Sequence, residues 1–168
     1  GAVRLTDRFF PGGDVTSDAV KACRNYVRSL IEHFHREVTT HGFDVAVASS
    51  GTAETVARIA HAVTGAEPLR TYNCFEVSRP ALDDVVARLV KHKSAVGRRK
   101  VPGLEAHRAD IIVAGSLILA TIAGAFDVDS FLFSEAALRE GVLLDTISRR
   151  RGGAEMHHLR DVSRRSIE

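Results

Sequence analysis

Between Ile111 and Phe126 the chain carries no charged residue, and only Gly115, Ser116, Thr121 and Gly124 interrupt its apolar side chains. Such a run forms a helix that is hydrophobic nearly all round and must be packed on most of its sides. It is shorter than the roughly 18 residues that a membrane span requires. The chain therefore has to wrap other elements around a central helix. The remainder of the sequence has the means to do so, with 45% hydrophobic and 26% charged residues in a length of 168. That length corresponds to about one domain. Twenty-three Lys and Arg against 21 Asp and Glu leave a net charge of only +2. So small an imbalance is no electrostatic footprint for a nucleic-acid binder. Cys23 and Cys74 form no paired spacing, which suits a reducing compartment and a cytoplasmic location. Gly1 to Arg8 lacks the apolar core of a signal peptide.

Apolar spacing supplies the other elements. Val3 and Leu5 alternate with Arg4 and Thr6, which predicts a short strand within Gly1 to Phe9, ended by Pro11-Gly12-Gly13. From Thr16 to Val38 the residues Val20, Cys23, Val27, Leu30, Ile31, Phe34 and Val38 recur at steps of three and four. That spacing predicts a long amphipathic helix capped by Thr16 or Ser17 and stopped by Gly42. Asp44 to Ala48 reads as a short buried strand, followed by a helix through Val56, Ile59, Ala60 and Val63. Thr71 to Val77 is a further candidate strand. Pro80 opens a helix that buries Leu82, Val85, Val86 and Leu89. The basic, glycine-containing stretch Ser94 to His107 is expected to be a mobile connector. Ser130 to Phe133 reads as a strand, and Ser134 as the cap of a last helix through Leu138, Val142, Leu143 and Ile147. The basic, polar residues from Arg149 on are expected to form a tail.

Strands alternating with helices predict an α/β domain with a small, partly parallel sheet. Few strands are available for so many helices, and the chain opens inside a strand-like pattern without a methionine. The expectation is a fragment of a larger architecture.

Three places can carry chemistry. The turn Ser49-Ser50-Gly51-Thr52 joins a strand to a helix, where backbone N–H groups collect anions and Gly51 admits a close approach. Alternatively, Ser50 or Thr52 simply caps that helix. Arg108 stands just before the apolar helix, where a cation is poorly matched to the helix dipole. A bidentate contact to phosphate or carboxylate explains it; so does a surface ion pair with Asp110 or Glu105. In Arg139-Glu140-Gly141 an ion pair is expected, and Gly141 inside a helix calls for a close neighbour. His33, His35 and Glu37 are split across helix faces and make no metal site. The runs Arg98-Arg99-Lys100 and Arg149-Arg150-Arg151 read as solvated surface or as contacts to polyanions. No GxSxG, Walker, GxGxxG or HExxH motif occurs.

At four of these stretches the sequence resembles the Ppx/GppA phosphatases, a family of exopolyphosphatases and guanosine pentaphosphate phosphohydrolases. They are Gly1-Ala2-Val3-Arg4-Leu5-Thr6, Ala48-Ser49-Ser50-Gly51-Thr52, Arg108-Ala109-Asp110-Ile111-Ile112-Val113-Ala114-Gly115, and Ser134-Glu135-Ala136-Ala137-Leu138-Arg139-Glu140-Gly141-Val142-Leu143. The resemblance implies an RNase H-like lobe of the actin/hexokinase/Hsp70 superfamily over residues 1–148, with residues 149–168 as a basic tail. It implies the second of two lobes, lacking its first strands. It also implies that the catalytic glutamate and the main phosphate loops belong to the missing N-terminal lobe and its junction. This chain alone is then expected to be inactive, with no catalytic residue and no metal ligand of its own. Ser50, Gly51, Thr52, Arg108 and Gly115 match substrate-side positions. Mg2+ would be held elsewhere in the whole enzyme. The implied partners are polyphosphate or guanosine pentaphosphate and tetraphosphate, with neither a membrane nor a specific nucleic acid. An exposed sheet edge is expected to favour a homodimer. The competing expectations are a non-catalytic module that senses an alarmone or polyphosphate, and an unrelated Rossmann-like domain.

Overall fold

The computed structural model describes residues 1–150. They fall into two compact units, Gly1–Glu135 and a second beginning at Ala136. In the first unit, α1 (Ala2–Phe9) and a 3-10 turn (Pro11–Gly13) precede the long α2 (Ser17–His41). Then follow β1 (Val47–Ser49), α3 (Ser50–Ala62), β2 (Glu76–Ser78), α4 (Arg79–Lys91), the single turn α5 (Ala95–Arg98), α6 (Ile112–Ala125) and β3 (Ser130–Ser134). The three strands form one mixed sheet in the order β1-β3-β2. β1 runs parallel to β3 with Ser49 opposite Ser134, and β2 runs antiparallel to β3 with Val77 opposite Phe131.

The apolar run is α6, and it lies against α1, α2, α3 and α4. Ile112, Val113, Leu117 and Ala120 are buried along it. Its two hydroxyls turn back on the helix, Ser116 Oγ to the carbonyl of Val113 (3.0 Å) and Thr121 Oγ1 to that of Leu117 (2.6 Å). Neither of these two hydroxyls is thereby left unpaired. On α4, Leu82, Val85, Val86 and Leu89 are all buried, and Ser78 caps it by accepting from the Ala81 N–H at 3.4 Å. Each fully buried aliphatic side chain of this kind contributes roughly 1.5–3 kcal/mol.

Several expectations need correction. The first segment is helix α1, not a strand. Leu5, Thr6 and Phe9 share the face turned inward while Val3 is exposed, so the helical spacing decides and the alternation of Val3 with Leu5 is incidental. β1 is narrower than residues 44–48 and is not a buried strand. It is an edge whose only buried side chain is Ala48, with Val47 exposed at 61% and Val45, just before it, at 62%. The expected strand over residues 71–77 is shorter and displaced, as β2. Thr16 caps α2 through the Ala19 N–H (3.2 Å), but Leu30 and Phe34, more than half exposed, lie beyond the packed part of its stripe.

The basic connector is not loose. Arg98 has no exposed surface, and Val101 and Leu104 are buried. Gly103, at a φ of +80°, passes so close to α3 that a Cβ there would lie 2.5 Å from the Arg58 carbonyl oxygen. Only glycine suits both that conformation and that approach.

In the second unit, α7 spans Leu138–Arg150 and takes in Arg149 and Arg150, the first residues of the stretch expected as tail. The remainder of that stretch lies outside the described residues. Ser134 ends β3, four residues before α7 begins. The Glu140 carboxylate accepts from the Ala137 N–H (2.8 Å), not from Arg139. Among the described residues, a Cβ at Gly141 would meet nothing within 4 Å, so none of them supplies the expected close neighbour.

Candidate anion site

Where β1 ends, the chain passes straight into α3. Ser50 makes the turn with a φ of 77°. That left-handed conformation costs a residue other than glycine roughly 1–2 kcal/mol. The helix N-cap is Ser49, which makes no side-chain cap hydrogen bond, and the first turn contains no acidic residue. Neither Ser50 nor Thr52 serves as the cap. Among the described residues, the first N–H groups of α3 therefore have no side-chain cap at the positive end of the helix dipole.

Arg108 brings a second positive charge to the same place. It ends a 3-10 turn (Ala106–Arg108) in the connector before α6, and its side chain is only 26% exposed. A Cβ on Gly51 would clash with both terminal nitrogens and the central carbon of the Arg108 guanidinium. Among the described residues its one ion-pair partner is Glu105, at a long 3.4 Å from Nε. Of the two acidic partners expected for a surface ion pair, Asp110 or Glu105, it is Glu105 that Arg108 meets. A guanidinium seated on an uncapped helix N-terminus is electrostatically unfavourable by itself and becomes favourable when an anion joins it.

Gly115 lies behind this turn. A Cβ there would sit 2.6 Å from Thr52 Cγ2 and 2.8 Å from Thr52 Oγ1. Gly115 is buried, so it acts as a spacer that lets α3 close on α6 and sets the position of Thr52. The fold thus gathers Ser50, Gly51, Thr52, Arg108 and Gly115 into one cluster at the carboxyl end of β1.

A neighbouring network has no signature in the sequence. Glu135 follows β3, and its Oε1 accepts from Thr71 Oγ1 (2.8 Å) and the Tyr72 N–H (2.9 Å). The Glu135 N–H donates to Asn73 Oδ1 at 3.1 Å. The Thr71 hydroxyl and the backbone N–H of Tyr72 hold the Glu135 carboxyl below its ordinary value. Arg58, on α3, lies over the Tyr72 ring at 4.9 Å and donates to Glu54 Oε1 at 2.7 Å. Glu140 is likewise held below its ordinary value, first by the Ala137 N–H. Glu135 and Glu140, held low in this way, are weak proton acceptors, and the Glu54 carboxylate is engaged by Arg58.

The described residues contain no group of three His, Cys, Asp or Glu side chains able to hold a metal ion.

Comparison with known proteins agrees with this architecture. The family model of the Ppx/GppA phosphatases matches residues 1–150. Exopolyphosphatase 1 of Mycobacterium leprae is 29% identical over 145 residues, covering 86% of this chain and 42% of that protein. The guanosine-5'-triphosphate,3'-diphosphate pyrophosphatase of Pseudoalteromonas translucida is 22% identical across the whole chain, which covers 31% of it. The crystal structure of an exopolyphosphatase from Cytophaga hutchinsonii superposes with a TM-score of 0.75 at 21% identity, over 88% of this chain and 47% of that one. The chain spans under half the length of these relatives. Its small mixed sheet and packed helices share the RNase H-like fold of those proteins. On the match of residues 1–150, this chain belongs to the Ppx/GppA phosphatase family.

Proposed function

We propose that this chain is the substrate-binding lobe of a phosphoanhydride hydrolase acting on inorganic polyphosphate. One observation carries the reading: the Arg108 guanidinium rests on Gly51 at an uncapped helix N-terminus. A phosphate group there accepts from the first-turn N–H groups of α3 and from the guanidinium fork, and the hydroxyls of Ser50 and Thr52 add donors. The names of the relatives support the substrate class, since a matched protein of Mycobacterium leprae is an exopolyphosphatase. The base that activates water comes from the other part of a longer protein. Supporting this, Glu54, Glu135 and Glu140 are all occupied by hydrogen bonds or ion pairs.

The same occupied carboxylates favour a second reading, a module that binds polyphosphate or a guanosine alarmone without cleaving it. Phosphate release separates the two. The chain is assayed alone, and joined to the remaining part of a full-length relative, against polyphosphate and guanosine pentaphosphate with Mg2+. The hydrolase reading predicts release only by the joined protein. Release by the chain alone would place a catalytic base among its own residues. Binding without release in either form would establish the module.

A further inference from the structure

Arg98 heads the fully buried side chains of the described residues by size, with 0% exposure. Its guanidinium donates from three nitrogens to three carbonyl oxygens in separate segments. Nε–H reaches Ala109 at 2.7 Å, one terminal nitrogen reaches His92 at 2.9 Å, and the other reaches Gly13 at 3.0 Å. These carbonyls belong to the residue after Arg108, the end of α4 and the turn before α2. Asp110 and Asp14 lie near enough to favour the charge, while burial pulls the Arg98 pKa down.

Removing a charge from water is costly unless its hydrogen bonds are fully replaced. A site that needed only volume would be filled better by an aliphatic residue. What arginine alone offers is a rigid fork that reaches divergent acceptors at once. Its shortest hydrogen bond falls on Ala109, whose backbone continues directly from Arg108. The Arg108 side chain leaves that same backbone to rest on Gly51.

We infer that Arg98 is the positioning residue of the anion site, fixing the Ala109 carbonyl and thereby the point from which Arg108 reaches the first turn of α3. This inference rests on the reading of the Ser50–Arg108 cluster as that site. Arg98 itself touches no ligand. It acts through the connector, as an internal brace between α4, the start of α2 and the start of α6.

The test is titration of tripolyphosphate into wild type, Arg98→Met, Arg98→Lys and Arg108→Ala, with the Arg108 Nε–H resonance followed by NMR. Loss of one charge-assisted positioning contact predicts about tenfold weaker binding for folded Arg98→Met. The Arg108 Nε–H resonance is expected to move in that variant before any ligand is added. Arg98→Lys, which keeps the charge but not the fork, is expected to bind with intermediate affinity. Wild-type affinity and an unmoved resonance in folded Arg98→Met would overturn the inference. Should that variant fail to fold, the same result in Arg98→Lys would overturn it. If Arg108→Ala binds as tightly as wild type, the anion-site reading fails, and the resonance alone then decides whether Arg98 positions Arg108.

Discussion

The guanidinium of Arg108 rests against the Cα of Gly51, so two residues far apart in sequence meet over the first turn of α3. The contact exists because Gly51 has no side chain. Gly51→Ala therefore separates binding from stability. Alanine in a helix is favoured over glycine by up to about 1 kcal/mol, and the atoms displaced are the far end of a flexible side chain. We expect thermal stability to be unchanged or slightly raised, with tripolyphosphate binding weakened about tenfold. Calorimetry of both properties on one sample checks this.

Gly115 is a different case, because its neighbour is a short, branched residue on a packed helix. A Cβ 2.6 Å from Thr52 Cγ2 has no flexible end to push aside. Gly115→Ala is expected to cost about 1–3 kcal/mol, as overpacking usually does. Thr52→Ser in the same chain removes the offending methyl and should recover part of the loss. Chemical denaturation of the single and double variants measures it. Additive losses would show that the two residues do not press on each other.

Glu135 ties the end of β3 to the segment before β2, and its partners hold its carboxyl below the ordinary value of 4.5. Its folded value is thus lower than its unfolded one. The stabilisation is fully present above the unfolded value and is lost as pH falls through the folded value. The melting temperature of Glu135→Gln should lie below wild type at neutral pH and converge on it as pH falls through the folded value. A constant difference across that range would mean that the carboxylate charge contributes nothing.

β1 leaves one side of the sheet unpaired, with Val45 and Val47 more than half exposed. Unprotected edges of this kind pair with other chains. We expect the isolated chain to self-associate, and Val47→Lys to shift it toward monomer, both read by sedimentation. A strictly monomeric wild type at high concentration would count against edge pairing.

Much of the fold is legible where burial and periodicity agree. Leu82, Val85, Val86 and Leu89 announce α4 because one face of it is fully covered, and the uncharged run announces α6 because four helices surround it. Reading fails where the two part company. In α1, Val3 mimics an alternation while pointing to solvent. In α2, Phe34 continues an apolar stripe past the region that packs. Arg98 is hidden in a basic run, since nothing in the local sequence distinguishes a buried arginine from a solvated one. At the site, Ser50, Gly51, Thr52 and Arg108 stand out as a strand-to-helix turn and a cation placed against a helix dipole, and Gly115 through the family resemblance, but its role as a spacer needs the distance to Thr52. The Glu135 network joins positions more than sixty residues apart and leaves no local pattern at all.

The central claim is that Arg108 and the first turn of α3 bind a phosphate chain. Isothermal titration of tripolyphosphate into wild type and Arg108→Ala, at low and at physiological salt, tests it most directly. The account predicts saturable binding by wild type, weakened at least tenfold in Arg108→Ala with the melting temperature unchanged. Equal affinity in the two proteins would contradict it and reduce Arg108 to a surface partner of Glu105.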